Sequence, residues 1–240
     1  MLRILIDSLP KEIRNSKFLF NFAKFLFGLP QELFSFRDRY EENKIDDLSK
    51  YYSKDSLFSL KRISKETDIN SFHLRILSKY FKCKMPKSLL DAGCGSAYLL
   101  QHFRKLNSST TLLGIDYQTL PLKSEQIEFI EGDILKTLQG FLVNSFDFVV
   151  CTHVIEHLDN PREVIMELRR VCSETLIIIC PLEKKFKWGM NYHVNFYSSQ
   201  NQFINFYKGT VKESENYKLK YETFLRLGDL MFIEHINKKL

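Results

Sequence analysis

A doubly wound α/β fold, with helices on both faces of a mostly parallel sheet, is what this sequence predicts, and three observations predict it. Between residues 87 and 181, short apolar runs alternate with helical patterns, from SLLDAG through TLLGID, IEFIEGD and FDFVVCT to ETLIIICP. Runs this short and apolar read as strands buried on both faces, as in a parallel sheet. The first run passes into DAGCGSA, a glycine turn that opens a helix, and the second ends in Asp116. In such sheets ligands sit at the carboxyl ends of the strands, so the residues ending each run carry the interest.

Composition bounds the reading. The chain has 240 residues, 44% of them hydrophobic, enough for a sizeable core and unlike a disordered or fibrous chain. Its five cysteines, Cys83, Cys94, Cys151, Cys172 and Cys180, are scattered with no C-x-x-C pair. Neither a disulfide framework nor a zinc ribbon is expected, and a reducing cytoplasm fits. No window holds ~18 uninterrupted apolar residues, and no signal-peptide cleavage pattern follows the start. The net charge of +6 is uneven: residues 1–87 carry 18 basic against 11 acidic side chains, 88–181 carry 7 against 12, and 182–240 carry 10 against 6. Basic ends around an acidic middle admit an anionic partner, but solvated lysine-rich faces explain them equally, and no nucleic-acid-binding module is recognisable.

In chain order, KFLFNFAKFLFGLP sets Lys17, Asn21 and Lys24 as a narrow polar stripe on a helix otherwise covered by Phe and Leu. That face either caps the rest of the protein or meets a membrane interface through residues 17–29. QELFSFRDRY and INSFHLRILSKYF read as further helices, and the polar EENKIDDLSKYYSKDS between them as a lid segment. We therefore divide the chain into a helical cap, residues 1–86, and an α/β domain, residues 87–240. PREVIMELRRV is a helix with proline in its first turn. After the fifth run comes a long connection, 182–198, holding the single tryptophan, Trp188. SSQNQFINFYKG reads as a serine-capped helix ending at Gly209, and LKYETFLRL with DLMFIEHINKK as a closing pair of strands.

The glycine turn allows close approach of a ligand, and the helix behind it offers unpaired N–H groups. Asp116 is placed to accept hydrogen bonds from a ribose. A dinucleotide fingerprint is excluded because Tyr98 stands where the last glycine of G-x-G-x-x-G would be. Asp91, just ahead of the turn, suits a cofactor with an ammonium and a sulfonium better than a pyrophosphate, which points to S-adenosylmethionine.

LLDAGCGSA, LLGIDY, IEFIEGDI and FDFVVCTHVIEHLDNPREVIMELRRV together resemble, in order, the motifs of class I S-adenosylmethionine-dependent methyltransferases, and YHVNFYS resembles a later segment of the broad group that includes ubiquinone-type O-methyltransferases. The resemblance implies a Rossmann-like sheet of seven strands with the last antiparallel. It implies that Gly93 and Gly95 pass under the methionine part of the cofactor, that Asp91 holds its amino group, and that Asp116 binds the ribose. It places Asp133 at the adenine amine, Tyr117 beside the ring, the backbone of Ile134 at its edge, and Cys151 with Thr152 along the path to the methyl. Two departures stand out: Ala97 replaces a usual third glycine, and only 17 residues separate Asp116 from Asp133. The second predicts a shortened or missing helix there.

The run HVIEH places His153, Glu156 and His157 in the H-x-x-E-H order of a class of zinc peptidases. That chemistry needs both imidazoles on one helical turn. His153 follows directly on a strand, so no metal is expected. His153 and His193 are instead the candidates for catalysis at the acceptor, with His193 either the base or a residue that holds its loop in place. The expected activity is methyl transfer to a small, apolar or amphipathic acceptor, with oxygen favoured as the atom. Rival readings are an RNA or protein methyltransferase and a non-catalytic cofactor-binding protein on the same fold.

Overall fold

The computed structural model describes residues 8–29, 31–45, 48, 51, 67–117, 126–185, 191–211 and 218–236. In chain order the elements are α1 (Lys11–Arg14), α2 (Lys17–Phe27), α3 (Phe36–Glu41), α4 (Ser71–Lys84), β1 (Ser88–Ala92), α5 (Tyr98–Leu106), β2 (Thr111–Asp116), β3 (Glu128–Glu131), α6 (Ile134–Gln139), β4 (Phe146–Thr152), α7 (Pro161–Val171), β5 (Cys172–Pro181), α8 (Gln200–Lys208), β6 (Tyr221–Arg226) and β7 (Asp229–His235). Short 3-10 turns occupy Gln31–Phe34 and Ile155–His157.

The strands form one seven-stranded sheet in the order β3-β2-β1-β4-β5-β7-β6. Pairing is parallel from β3 to β5, and β7 runs antiparallel to both β5 and β6. The strand order reverses between β1 and β4, which makes their carboxyl ends the crevice where a ligand is expected. Register places Asp91 between Gly114 of β2 and Val150 of β4.

The apolar runs are explained by two core layers, one on each face of the sheet. Along β5, Leu176, Ile178 and Cys180 join one layer with residues of α6, α7 and α8. The alternate residues Ile177 and Ile179 join the other, with Leu77 and Phe81 of α4 and Leu99, Leu100 and Phe103 of α5. A strand with period-two side chains and oil on both sides must be apolar at every position. Helix α4 thus packs on the sheet, although it falls within the segment 1–86 that the sequence reading set apart as a cap.

The helices end where the sequence signals say. Ser16, Asn70 and Ser199 cap α2, α4 and α8 by accepting the Leu19, His73 and Gln202 amides, and Pro161 opens α7. Gly28 closes α2 in the left-handed region, at φ 61°. Gly209 closes α8 without adopting that region. The expected lid falls mostly outside the described residues, as do Trp188 and the segment 118–125 where a helix was expected to be short or absent. No helix among the described residues is long and apolar enough to cross a membrane.

A third cluster joins the N-terminal helices to the loop after β5: Phe20, Ala23, Leu29, Leu33 and Phe36 enclose Tyr192. Arg37 donates to the His193 carbonyl at 3.3 Å and lies over the Phe196 ring at 4.4 Å. The Tyr40 hydroxyl donates to Asp159 at 2.9 Å, and Lys185 pairs with Glu41. The outward face of α2 leaves Phe18 81% and Phe25 85% exposed, with Phe22 also exposed.

Among the buried carboxylates of the described residues, one ties helices to the far side of the sheet. Glu234 of β7 is fully buried, receives both Arg169 Nε and Nη2 at 2.8 Å, and accepts the Tyr207 hydroxyl. This ties α7 and α8 to the antiparallel strand. Arg169→Met strands that carboxylate, and we expect it to destabilise the fold by about 3 kcal/mol or more in a denaturant titration. A change below about 1 kcal/mol would show that the bridge contributes little.

Candidate functional site

At the carboxyl end of β1 the chain makes a turn that only a residue without a side chain can make. Gly93 has φ +81°, and a Cβ built there would lie 2.2 Å from Cγ2 of Val154, the residue that leads into the turn after β4. The amides of Gly93 and Cys94 both donate to the Ile115 carbonyl, at 2.7 and 3.1 Å. Gly95, also at positive φ, donates its amide to Asp116 Oδ2 at 2.8 Å. Ala97 takes up a left-handed conformation, φ 56°, as the cap of α5, where glycine would carry no steric penalty. The turn is therefore held by the end of β2 on one side and by the β4 loop on the other.

Asp91 lies beneath this turn. It is 1% exposed, its Oδ1 has no hydrogen-bond partner, and burial, with the Asp116 carboxylate adding to it, pushes its pKa up to about 8. A fully buried carboxyl with an unused oxygen is unfavourable unless a donor or cation meets it. The tight glycine turn and the waiting carboxylate fit the ammonium of an amino-acid moiety, and Asp116 at the next strand end fits a hydroxylated sugar. Both are the features a bound S-adenosylmethionine would need.

The adenine end is built less simply than the sequence implied. Asp133 caps α6, accepting the Lys136 amide at 2.8 Å on Oδ1, and accepts the Tyr117 hydroxyl on Oδ2 at 2.6 Å. Both carboxylate oxygens are thus engaged, and Tyr117, partly exposed, is locked across the gap between β2 and β3. Ile134 opens α6 with its side chain in the core. Cys151 is wholly buried in the core, its thiol pushed up by burial and by the Glu156 and Asp91 carboxylates. Thr152, partly exposed, is the member of that pair within reach of solvent.

On the other side of Val154 the structure gathers a polar cluster that sequence spacing alone did not assemble. His153 has φ 55° and donates its amide to the Ile179 carbonyl at 2.8 Å. The Ile155–His157 turn then buries Glu156 to 1% exposure, with neither carboxylate oxygen hydrogen-bonded and His153 Nδ1 at 3.5 Å. Burial alone would raise the Glu156 pKa, but the imidazoles of His153, His157 and His193 outweigh it and hold the group at about 2. Burial lowers the His153 pKa, but the Glu156 carboxylate beside it more than offsets this, so the net shift is upward. His193 is buried as well, its Nδ1 2.5 Å from Glu183 Oε1 and its ring 4.5 Å, centroid to centroid, from that of His157.

Three residues of this neighbourhood escaped the sequence reading. Glu183 orients His193, and its signal was available: it stands two residues past the end of β5, where functional residues collect. Arg37 and Asn195 had no such signal, because their partners lie far off in sequence. Asn195 donates to the carbonyls of Ile155 and Leu158 at 3.0 and 2.6 Å, and the amides of Val194 and Asn195 donate to the Glu156 carbonyl.

Comparison with known proteins agrees with this geometry. Residues 90–180 match the family described as "Methyltransferase domain". A mitochondrial ubiquinone biosynthesis O-methyltransferase of Schizosaccharomyces pombe is 26% identical over 113 residues, 42% of this chain and 40% of its own length. The Chromobacterium violaceum protein of the same description is 27% identical over 145 residues, 57% of each chain. The chain thus spans about half the length of these curated relatives. Among solved structures, a plantazolicin methyltransferase in complex with a substrate analogue and SAH superposes with a TM-score of 0.54 at 15% identity, covering 87% of this chain and 97% of that one. A SAM-dependent methyltransferase from Archaeoglobus fulgidus gives 0.50 at 13% identity, over 68% and 94%. Residues 90–180 are thus similar to a methyltransferase domain, and the seven-stranded sheet with its antiparallel β7 has the Rossmann-like fold of the class I S-adenosylmethionine-dependent methyltransferases.

Proposed function

We propose that the protein transfers a methyl group from S-adenosylmethionine to an oxygen of a small-molecule acceptor. The observation that carries this reading is the buried Asp91 carboxyl, with one oxygen unpaired, under a glycine turn that tolerates no side chain. When bound, the cofactor supplies a methyl group on a sulfonium, open to in-line displacement. Asp91 holds the ammonium; the backbone at Gly93 and Gly95 admits the methionine part; Asp116 binds the ribose hydroxyls. Tyr117, Asp133 and the Ile134 backbone bound the adenine, and Thr152 lies on the approach to the methyl. Rate enhancement comes mainly from holding acceptor and methyl in line in a site shielded from water.

His193 is the residue we assign to the acceptor proton. Glu183 on Nδ1 leaves Nε2 as the nitrogen for the acceptor, the arrangement by which a carboxylate orients a histidine base. The curated relatives support oxygen as the atom methylated, since both are described as O-methyltransferases. We assign the N-terminal helices, pinned to the His193 loop through Arg37 and Tyr192, to covering an apolar or amphipathic acceptor.

Three outcomes test this. Asp116→Ala should lower affinity for S-adenosylmethionine by about 10² or more, since two charge-assisted hydrogen bonds of about 1.5–3 kcal/mol each are lost; unchanged affinity in calorimetry would sink the assignment. Asp91 sets a pH dependence. With its folded pKa near 8 against an ordinary 3.8, the folded chain keeps a proton between about pH 4 and 8 that the unfolded chain has lost. That contribution to stability falls as pH rises through the window, while affinity for the cationic cofactor rises. Asp91→Asn should flatten both trends, and parallel pH profiles of variant and parent would refute the role. Finally, we propose that the exposed phenylalanines of α2 rest on a bilayer surface. The full chain should then co-sediment with anionic vesicles and Phe18→Glu/Phe25→Glu should not; equal sedimentation of both would rule this out.

A further inference from the structure

Glu156 is a buried carboxylate in a rigidly built place. Both of its oxygens are buried without a hydrogen-bond partner. Its backbone carbonyl receives two amides from the His193 loop, at 2.9 and 3.0 Å, and Asn195 fixes the turn from the same loop. One ligand atom each from Glu156, His157 and His193 lie within 4.8 Å of one another. Donors around a tetrahedral ion are about 3.4 Å apart for bonds of 2.0–2.1 Å, so modest side-chain rotation closes the site. Glu183 on His193 Nδ1 supplies the outer carboxylate that orients a metal-binding imidazole and leaves Nε2 as the donor.

We propose that Glu156, His157 and His193 bind one divalent transition ion, with zinc the reference case. Two imidazoles with a single carboxylate select zinc, iron or cobalt over magnesium and calcium, which prefer oxygen ligands. The site is not the one H-x-x-E-H spells as a helical motif. His153 stands behind Glu156 rather than beside His157, and the third ligand comes from a loop 36 residues downstream. Three protein ligands leave a fourth position open, as catalytic ions require. Val154, which packs on the Gly93 turn, sets this ion beside the methionine end of the cofactor site.

The ion's use rests on the methyl-transfer reading; its binding does not. An acceptor hydroxyl taken as fourth ligand loses its proton to solvent more readily. The resulting oxygen would form the new O–C bond as the S–C bond breaks; with the ion bound, the His193 Nε2 that takes the acceptor proton in its absence would serve as a ligand and the proton would go to solvent.

The test is a titration of the chelator-treated full-length protein with zinc alone, and with cobalt(II) read by its visible absorption, in the absence of cofactor and acceptor. We expect one ion per chain, affinity at least about 100-fold lower in Glu156→Gln and His193→Ala, and a loss of about 10–100-fold in Glu183→Gln. Circular dichroism of the conservative Glu156→Gln and Glu183→Gln variants separates lost binding from lost fold. Cys83→Ser, at an exposed thiol, should bind as the parent does. Absence of a stoichiometric ion, undiminished binding in both ligand variants, or magnesium binding as tight as zinc would overturn the proposal. Cofactor binding measured separately keeps this failure distinct from a failure of the methyltransferase reading.

Discussion

The ligand side of this protein depends on one steric constraint, the contact between Gly93 and Val154. No side chain fits at residue 93, because the Val154 methyl occupies the space. The loops after β1 and β4 are thereby wedged together at the point where the strand order reverses. The same turn roofs the Asp91 carboxyl on one side, and on the other it fixes where the chain enters the His153–His157 segment. The Asp91 turn and the His153–His157 cluster are thus two faces of a single backbone junction, supported by core layers that bury both sides of the sheet.

The charges at this junction are paired in opposite senses. Asp91 and Asp116 lie near the ends of neighbouring strands, and burial, with the Asp116 charge adding to it, favours the proton on Asp91. Glu156, equally buried, is held ionised by the imidazoles around it. Groups of one chemical type in neighbouring sites are driven apart by environment alone, which is how a site accepts one cation and polarises a second partner. The N-terminal helices reach the same loop: Tyr192 within their apolar cluster and Arg37 on the His193 carbonyl tie that cluster to the loop that carries the imidazole.

Much of this was legible in the sequence, for physical reasons that also mark where reading stops. β1, β2, β4 and β5 announced themselves because strands buried on two faces have no polar side to hide. Asp91, Gly93 and Gly95 fall within five residues, and Asp116 ends the adjacent strand, so local pattern suffices to place them at one end of the sheet. Asp133 was read as an adenine contact; its oxygens also cap α6 and hold Tyr117, structural roles that the reading did not give it. His157 beside His193, Glu183 behind it and Arg37 across from it are products of tertiary folding. No periodicity within one segment encodes a contact between a turn after β4 and a loop after β5. The H-x-x-E-H order raised a metal question and the strand before it argued against a helical site; only the fold could show a different trio converging.

Calorimetric titration of S-adenosylmethionine into the parent chain and Gly93→Ala tests the Gly93 turn as the floor of the proposed cofactor site. The parent should bind one equivalent, and the variant, if its circular dichroism shows the sheet intact, should lose at least about tenfold in affinity, because an added methyl forces the turn away from Val154. A folded Gly93→Ala chain that binds as tightly as the parent, or a parent that binds none, would contradict the account.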